Sequence, residues 1–250
     1  MSASDQTAFE SEERPQRVGV LIPPANIQCE LEFPAHAPSG YSFHYTRLAR
    51  PQSFLSAESL VKMKYSAREA AERLAAIQPR TIVYACTSGS FLSGPQAHAE
   101  IAQEITQATG IPAITTATAV LNALQALAGE RIAVLTPYPI SITQAALQFL
   151  KGNGMQVTHV DTYGYTESSK ISAITASSVA QRVRAMDTDD CDAVFISCTN
   201  VQTLGILPCL EQQTGKAVVS SNSATLWAAL RLAGHKEEFS ALGRLGQCFL

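Results

Sequence analysis

Two cysteines stand at positions where a thiol could do chemistry. Cys86 lies in the stretch Thr81-Ile-Val-Tyr-Ala-Cys-Thr-Ser-Gly-Ser-Phe-Leu-Ser93, and Cys198 in Ala193-Val-Phe-Ile-Ser-Cys-Thr-Asn200. In each, three strand-forming residues lead through one small residue to cysteine and then threonine. That pattern puts the thiol at the carboxyl end of a buried strand, where open α/β sheets bind their ligands. A thiol serves as nucleophile, acid or base because its ordinary pKa lies near 8.5, and a helix N-terminus lowers it toward neutrality. Both cysteines are expected to precede a helix start. The amides of Thr87, Ser88 and Gly89, and of Thr199 and Asn200, would then hold a carboxylate or enediolate oxygen without a cationic side chain. The ligand this implies is a small carboxylic acid.

A thiolate on one face of a carbon and a thiol on the other permit two reactions. Proton removal with delivery to the opposite face is racemisation; addition to a double bond, rotation and elimination is cis-trans isomerisation. The competing view treats a free cysteine as a small core residue. That view suits Cys29, Cys191, Cys209 and Cys248, which are expected in the core, but it does not require two equivalent Cys-Thr strand ends. Asn26, after Pro23-Pro24-Ala25, sits in the loop following the first strand. Tyr138, in Thr-Pro-Tyr-Pro, sits in a later loop and could donate to a ligand oxygen or simply pack in a turn. The five histidines show no i, i+4 pairing, so no metal is expected. Gly215-Lys216 lacks the glycine-rich lead-in of a phosphate loop, and Trp227 reads as core.

The elements that must position these residues alternate strand and helix. Strands are expected at residues 17–22, 41–48, 81–85 and 111–115, and helices at 56–77, 96–109 and 119–127, with a short helix beginning near Asn26 and Glu30. The pattern then restarts. Arg131-Ile-Ala-Val-Leu-Thr-Pro-Tyr138 answers Arg17-Val-Gly-Val-Leu-Ile-Pro-Pro24, Cys198 answers Cys86, and Ala217-Val-Val-Ser-Ser-Asn-Ser-Ala224 answers the segment from Ala113 to Ala119. A nearly constant offset across three strands predicts an α/β protein of two pseudosymmetric lobes, each a parallel sheet flanked by helices. The active site would lie in the cleft between them. Lobe 1 is expected to comprise residues 17–117 plus 224–250 and lobe 2 residues 118–223, after a disordered acidic tail at 1–16.

The 250 residues are 46% hydrophobic, ample for packed cores. Lys and Arg number 18 against 21 Asp and Glu, a formal charge of -3 without a basic run, which argues against a nucleic-acid partner. No apolar stretch is long enough to span a membrane, and Met-Ser-Ala-Ser-Asp-Gln is not a secretory leader, so the cytoplasm is the expected compartment. Six cysteines without a CxxC pair read as free thiols in a reducing environment.

Over residues 17–234 the chain resembles the aspartate/glutamate racemase superfamily, in the branch of maleate cis-trans isomerases and arylmalonate decarboxylases. The segments that carry the resemblance are Gly19-Val-Leu-Ile-Pro-Pro-Ala-Asn26, Cys86-Thr-Ser88, Thr116 to Leu124, Thr136-Pro-Tyr138, Ser197-Cys-Thr-Asn200, and Val218-Val-Ser-Ser-Asn-Ser223 running on to Trp227 and Arg231-Leu-Ala-Gly234. The resemblance implies a two-lobed enzyme without cofactor or metal, often a homo-oligomer. Cys86 matches the nucleophile of maleate isomerases and Cys198 their acid. Pro24, Asn26, Thr87, Ser88, Tyr138, Thr199 and Asn200 match substrate-binding positions. Arylmalonate decarboxylases carry glycine in place of the first cysteine, so Cys86 argues against decarboxylation as the main activity. Where maleate isomerases have an asparagine after the fifth strand, this chain has Gly164-Tyr-Thr-Glu-Ser-Ser169, and Ser168 aligns best with it.

The function expected is a cofactor-independent, two-cysteine isomerase of a small carboxylic acid, with maleate to fumarate first. Racemisation of an amino acid or related acid, as in ectoine catabolism, and decarboxylation of an arylmalonate stand beside it. A non-catalytic carboxylate-binding module is the alternative outside enzymes.

Overall fold

A computed structural model describes residues 14–50, 55–92, 94 and 96–249. Apolar runs form the inner strands and amphipathic segments cover them. The first half comprises β1 (Gln16–Ile22), α1 (Gln28–His36), β2 (Tyr41–Arg47), α2 (Ala57–Lys64), α3 (Ala67–Ala75), β3 (Thr81–Tyr84), α4 (Thr87–Phe91), α5 (Ala97–Thr109), β4 (Ala113–Thr115) and α6 (Thr116–Ala126). The second comprises β5 (Arg131–Thr136), α7 (Ile140–Gly152), β6 (Gln156–Thr162), α8 (Ser168–Ser172), α9 (Ala176–Ala185), β7 (Ala193–Ile196), α10 (Leu207–Thr214), β8 (Ala217–Ser220) and α11 (Ser221–Leu232). The sheets run β2-β1-β3-β4 and β6-β5-β7-β8, every neighbour parallel, so the second repeats the order of the first. The internal repeat is therefore an architectural one.

The inner strands β3 and β7 are buried at every residue, as parallel sheets covered by helices require; of the two edge strands of the second sheet, β8 is also buried throughout, whereas β6 alternates exposed and half-buried. The helices that follow β4 and β8 start alike. Thr115 and Ser220 each accept a backbone N–H three residues on, and α11 adds a full capping box through Ser223. The Thr116 and Thr225 hydroxyls meet at 2.9 Å where α6 and α11 pack. Among the described residues no helix is long and apolar enough to cross a membrane.

Three expectations change. The helix at 56–77 is two helices, because the Ser66 hydroxyl donates to the Met63 carbonyl at 2.8 Å and accepts the Ala49 amide at 3.0 Å, competing with the helical ladder. Most of the tail, residues 1–13, lies outside the described residues, but Gln16 already belongs to β1, paired with Tyr41. Of the four expected core cysteines, Cys29 and Cys191 are buried; Cys209 is exposed and Cys248 half-buried, because they lie on an outer helix face and beyond the last helix.

A buried carboxylate joins the halves. Glu32 on α1 accepts the Thr203 amide at 2.6 Å, the Leu204 amide at 2.8 Å and the Asn222 side-chain amide at 2.5 Å. Burial raises its pKa, and these three donors pull it back. Glu32→Ala should strand buried donors and lower unfolding stability by about 2–4 kcal/mol in urea titrations. Glu58→Ala, on an exposed helix pair, should leave the midpoint unchanged.

Candidate active site

All the expected site residues come from loops at the carboxyl ends of strands. Thr87 to Phe91 form a single short helix after β3, and Cys86 is its N-cap, with its sulfur accepting the Gly89 amide at 3.4 Å and lying 4.0 Å from the Ser88 hydroxyl. The fit is close. A Cβ on Gly89 would lie 3.0 Å from the Cys86 sulfur and 2.8 Å from the Tyr84 hydroxyl, which is why only glycine suits the position. The amides of Thr87 and Ser88, in the first turn, have no intrahelical acceptor.

The loop after β7 departs from the sequence expectation. No helix starts at Thr199; the chain turns there and the next helical residues begin at Leu204. Cys198 instead adopts φ 100°, a conformation rare for a residue with a side chain, and its sulfur accepts the Asn200 amide at 3.4 Å. The Cys198 amide donates to the Ser221 hydroxyl at 2.9 Å, and the Thr87 hydroxyl donates to that same oxygen at 2.8 Å. Thr199 reaches across to donate to the Ala85 carbonyl at 3.0 Å. Asn26 donates to the Thr199 hydroxyl at 3.1 Å, and Asn200 brackets the first loop by accepting the Ile27 amide and donating to the Ala25 carbonyl.

These loops enclose one cavity. It is lined by Pro23, Ala25, Asn26, Arg50, Leu55, Leu60, Cys86, Thr87, Ser88, Tyr138, Ser168, Ile171, Cys198, Thr199 and Asn200, and offers ≈ 40 Å³ to water centres, room for a few waters or one small molecule. Cys86, Cys198, Asn26, Thr87, Ser88, Tyr138, Ser168, Thr199 and Asn200 are thus brought together. Pro24 is not: it is exposed at the outer corner of the turn, and its neighbours Pro23 and Ala25 form the wall. Tyr138 is buried in the site rather than packed on the surface.

Arg50 lines the cavity and was missed by the sequence analysis. It lies after β2 and donates to the Ser168 hydroxyl at 3.1 Å. Ser168 lies after β6, the strand equivalent to β2, so applying the repeat to that loop would have pointed to Arg50. The other lining residues missed are apolar: Pro23, Ala25, Leu55, Leu60 and Ile171.

Burial decides the thiol chemistry. It raises the Cys86 pKa, against the Gly89 amide, the Ser88 hydroxyl and the positive charge of Arg50, which lower it. Burial also pushes Cys198 up to about 12, against the Asn200 amide and the Tyr138 hydroxyl. The N-terminus of α4 therefore does not bring Cys86 to neutrality, and Cys198 has no helix terminus to lower it. Cys86 has the more favourable surroundings for a thiolate, and Cys198 those for a proton carrier.

Two equivalent α/β halves that each send a thiol into one small cavity define a class: pseudosymmetric two-thiol α/β enzymes. The model of the arylmalonate decarboxylase family matches residues 18–246, and the chain belongs to that family. It is 26% identical over 240 residues to a maleate isomerase of Nocardia farcinica, covering 92% of this chain and 95% of that protein. It is 36% identical over 150 residues to an arylmalonate decarboxylase of Bordetella bronchiseptica, covering 59% of this chain and 62% of that one. Among solved structures, a maleate isomerase variant from Pseudomonas putida with maleate matches at TM-score 0.89 and 26% identity, over 93% of this chain and 98% of that one.

Because both thiols are protonated at neutral pH, iodoacetamide should label them slowly there. The rate should climb about tenfold per pH unit above neutrality. Cys86 should react before Cys198 in peptide mapping by mass spectrometry; equal rates would contradict the assigned asymmetry.

Proposed function

We propose that this enzyme is a cofactor-independent cis-trans isomerase of a small unsaturated dicarboxylate, with maleate to fumarate as its reaction. The observation that carries the reading is the pair of thiols from equivalent strand ends lining one small cavity. Similarity along nearly the whole chain to maleate isomerases supports it. A protein built only to bind a carboxylate has no use for the second thiol.

Cys86, as thiolate, adds to one alkene carbon. A C–S bond forms, the π bond breaks, and the electron pair on the neighbouring carbon takes the Cys198 proton. The central bond is then single and rotates. Cys198, now a thiolate, removes a proton from the same carbon; the double bond re-forms as trans, and the C–S bond breaks to return the Cys86 thiolate. Atoms and charge balance, with no oxidant or reductant. Asn26, Tyr138 and Asn200 hold substrate oxygens, as do the amides of Thr87, Ser88 and Thr199 and the Ser88 hydroxyl.

Two alternatives use the same thiols. The identity with an arylmalonate decarboxylase favours decarboxylation as a side activity; it predicts carbon dioxide release that survives Cys86→Ser and requires Cys198. Racemisation of a small acid predicts deuterium at the α-carbon without alkene chemistry. The cavity, small and lined mostly by polar groups and thiols with Pro23, Ala25, Leu55, Leu60 and Ile171 as apolar walls, suits a four-carbon acid better than an aryl group.

Proton NMR of maleate in deuterated buffer should show fumarate with the wild type and a loss of at least about 10³-fold in kcat with either Cys86→Ser or Cys198→Ser. Substantial turnover by Cys86→Ser would sink the addition mechanism. The kcat/KM profile should rise through the neutral and alkaline range, because the raised Cys86 pKa keeps most of the nucleophile protonated there, and fall only as Cys198 loses its proton near pH 12.

A further inference from the structure

Close to Cys86 lies a buried polar atom that the resting protein leaves unbonded. Tyr84, the last residue of β3, is wholly buried, and its hydroxyl has no hydrogen-bond partner among the described residues. Its main chain is tied down, the carbonyl accepting the Cys86 amide at 3.0 Å and the Thr116 hydroxyl at 3.4 Å. A buried O–H without an acceptor is destabilising, and phenylalanine would fill the same space without that cost. The point where a Cβ on Gly89 would stand is 2.8 Å from the Tyr84 oxygen, 3.0 Å from the Cys86 sulfur and 3.1 Å from Met63 Cε. Only a hydrogen of Gly89 points there, so oxygen and sulfur adjoin the same bare face of α4. Tyr84 does not line the cavity, so its hydroxyl neighbours the sulfur without meeting a ligand.

We propose that Tyr84 is a positioning residue for the addition step, its hydroxyl held without a partner in the resting enzyme and given to the Cys86 sulfur when that sulfur becomes a thiolate. A neutral thiol is a weak acceptor, so the resting sulfur takes the Gly89 amide at 3.4 Å and leaves the phenol aside. Negative charge makes the sulfur a strong acceptor, and hydrogen bonds to an ionised atom are shorter and stronger than those between neutral groups. Burial and the charge of Cys86 both keep the phenol protonated, so it remains a donor. The O–H bond stays intact throughout; what changes is the stability of the thiolate, against the burial that disfavours it. The inference rests on the isomerase reading for the step it serves, but ionisation of Cys86 can be followed without substrate.

The test compares wild type with Tyr84→Phe, which removes one oxygen and keeps the ring. Iodoacetamide labelling of Cys86, followed across pH by peptide mass spectrometry, should be about 10–100-fold slower in Tyr84→Phe below the Cys86 pKa, the profile moving up by about one to two pH units. The deficit should close where Cys86 is ionised in both proteins, and labelling of Cys198 should stay within about twofold. The other titratable groups that feel charge at Cys86, namely Arg50, Cys29, Tyr138 and Cys198, are the same in both proteins, so the displacement reports the hydroxyl. With maleate, kcat should fall about 10–100-fold while KM stays within about threefold, since the hydroxyl does not line the cavity. The urea midpoint should be unchanged or higher, the opposite of what a structural hydrogen bond predicts. A lower midpoint, or a variant that does not fold, shows the hydroxyl bonded in the resting protein and overturns the proposal, as does an unmoved Cys86 labelling profile. If maleate is inert but Tyr84→Phe displaces the profile, the role of Tyr84 at Cys86 stands and the isomerase reading falls. If maleate is isomerised and Tyr84→Phe matches wild type in turnover and labelling, the isomerase reading stands and the Tyr84 assignment is overturned.

Discussion

The geometry of both thiols hangs on one hydroxyl. Ser221, the first residue of α11, accepts the Thr87 hydroxyl at 2.8 Å and the Cys198 amide at 2.9 Å, and it is wholly buried. Thr87 adjoins Cys86, so the loops of the two halves are measured against the same oxygen atom. Cys198 is held at a positive φ that costs of order 1–3 kcal/mol for a residue with a side chain. Such a conformation persists only when its surroundings over-determine it. The Ser221 bond, the Thr199 bond to the Ala85 carbonyl, and the Glu32 carboxylate gripping Thr203 and Leu204 fix the cysteine and the loop that follows it. The thiols are thus set in place by buried hydrogen bonds that ligand need not form.

That rigidity has an electrostatic consequence. A cavity small enough to exclude bulk water disfavours thiolates, and burial accordingly lifts both cysteines above their ordinary range. What separates them is local. Cys86 has an amide, a hydroxyl and a distant guanidinium to offset desolvation. Cys198 has an amide and the Tyr138 hydroxyl, and Cys86 itself raises its pKa further. Addition and elimination need one group that gives up its proton first and one that keeps it, and the environments differ in that direction.

Much of this was legible in the residues. Parallel strands read as continuous apolar runs, so β1, β3, β5 and β7 and their repeat were plain, and the paired Cys-Thr ends followed. The parts that were not legible depend on tertiary contact. Ser66 breaks a helix because Ala49 lies within reach. Thr199 begins a turn rather than a helix because Asn26 and Asn200 tie that loop to the other half. Glu32 looks like any helix-surface glutamate until Asn222, far along the chain, is brought to it. Pro24 and Pro23 are adjacent in sequence, and only the turn geometry tells which faces the cavity.

Pseudosymmetry explains both what the sequence revealed and what it hid. Equivalent loops supply Asn26 and Tyr138 after β1 and β5, Cys86-Thr87 and Cys198-Thr199 after β3 and β7, and Arg50 and Ser168 after β2 and β6. The scaffold brings three strand ends to one place twice over, which a repeat in the sequence discloses. The chemistry requires those ends to differ, and a repeat discloses nothing about positions at which the two copies diverge. Arg50 and Ser168 diverge most, a cation against a hydroxyl, and they touch. The two ends of the cavity are therefore chemically different even though the scaffold repeats.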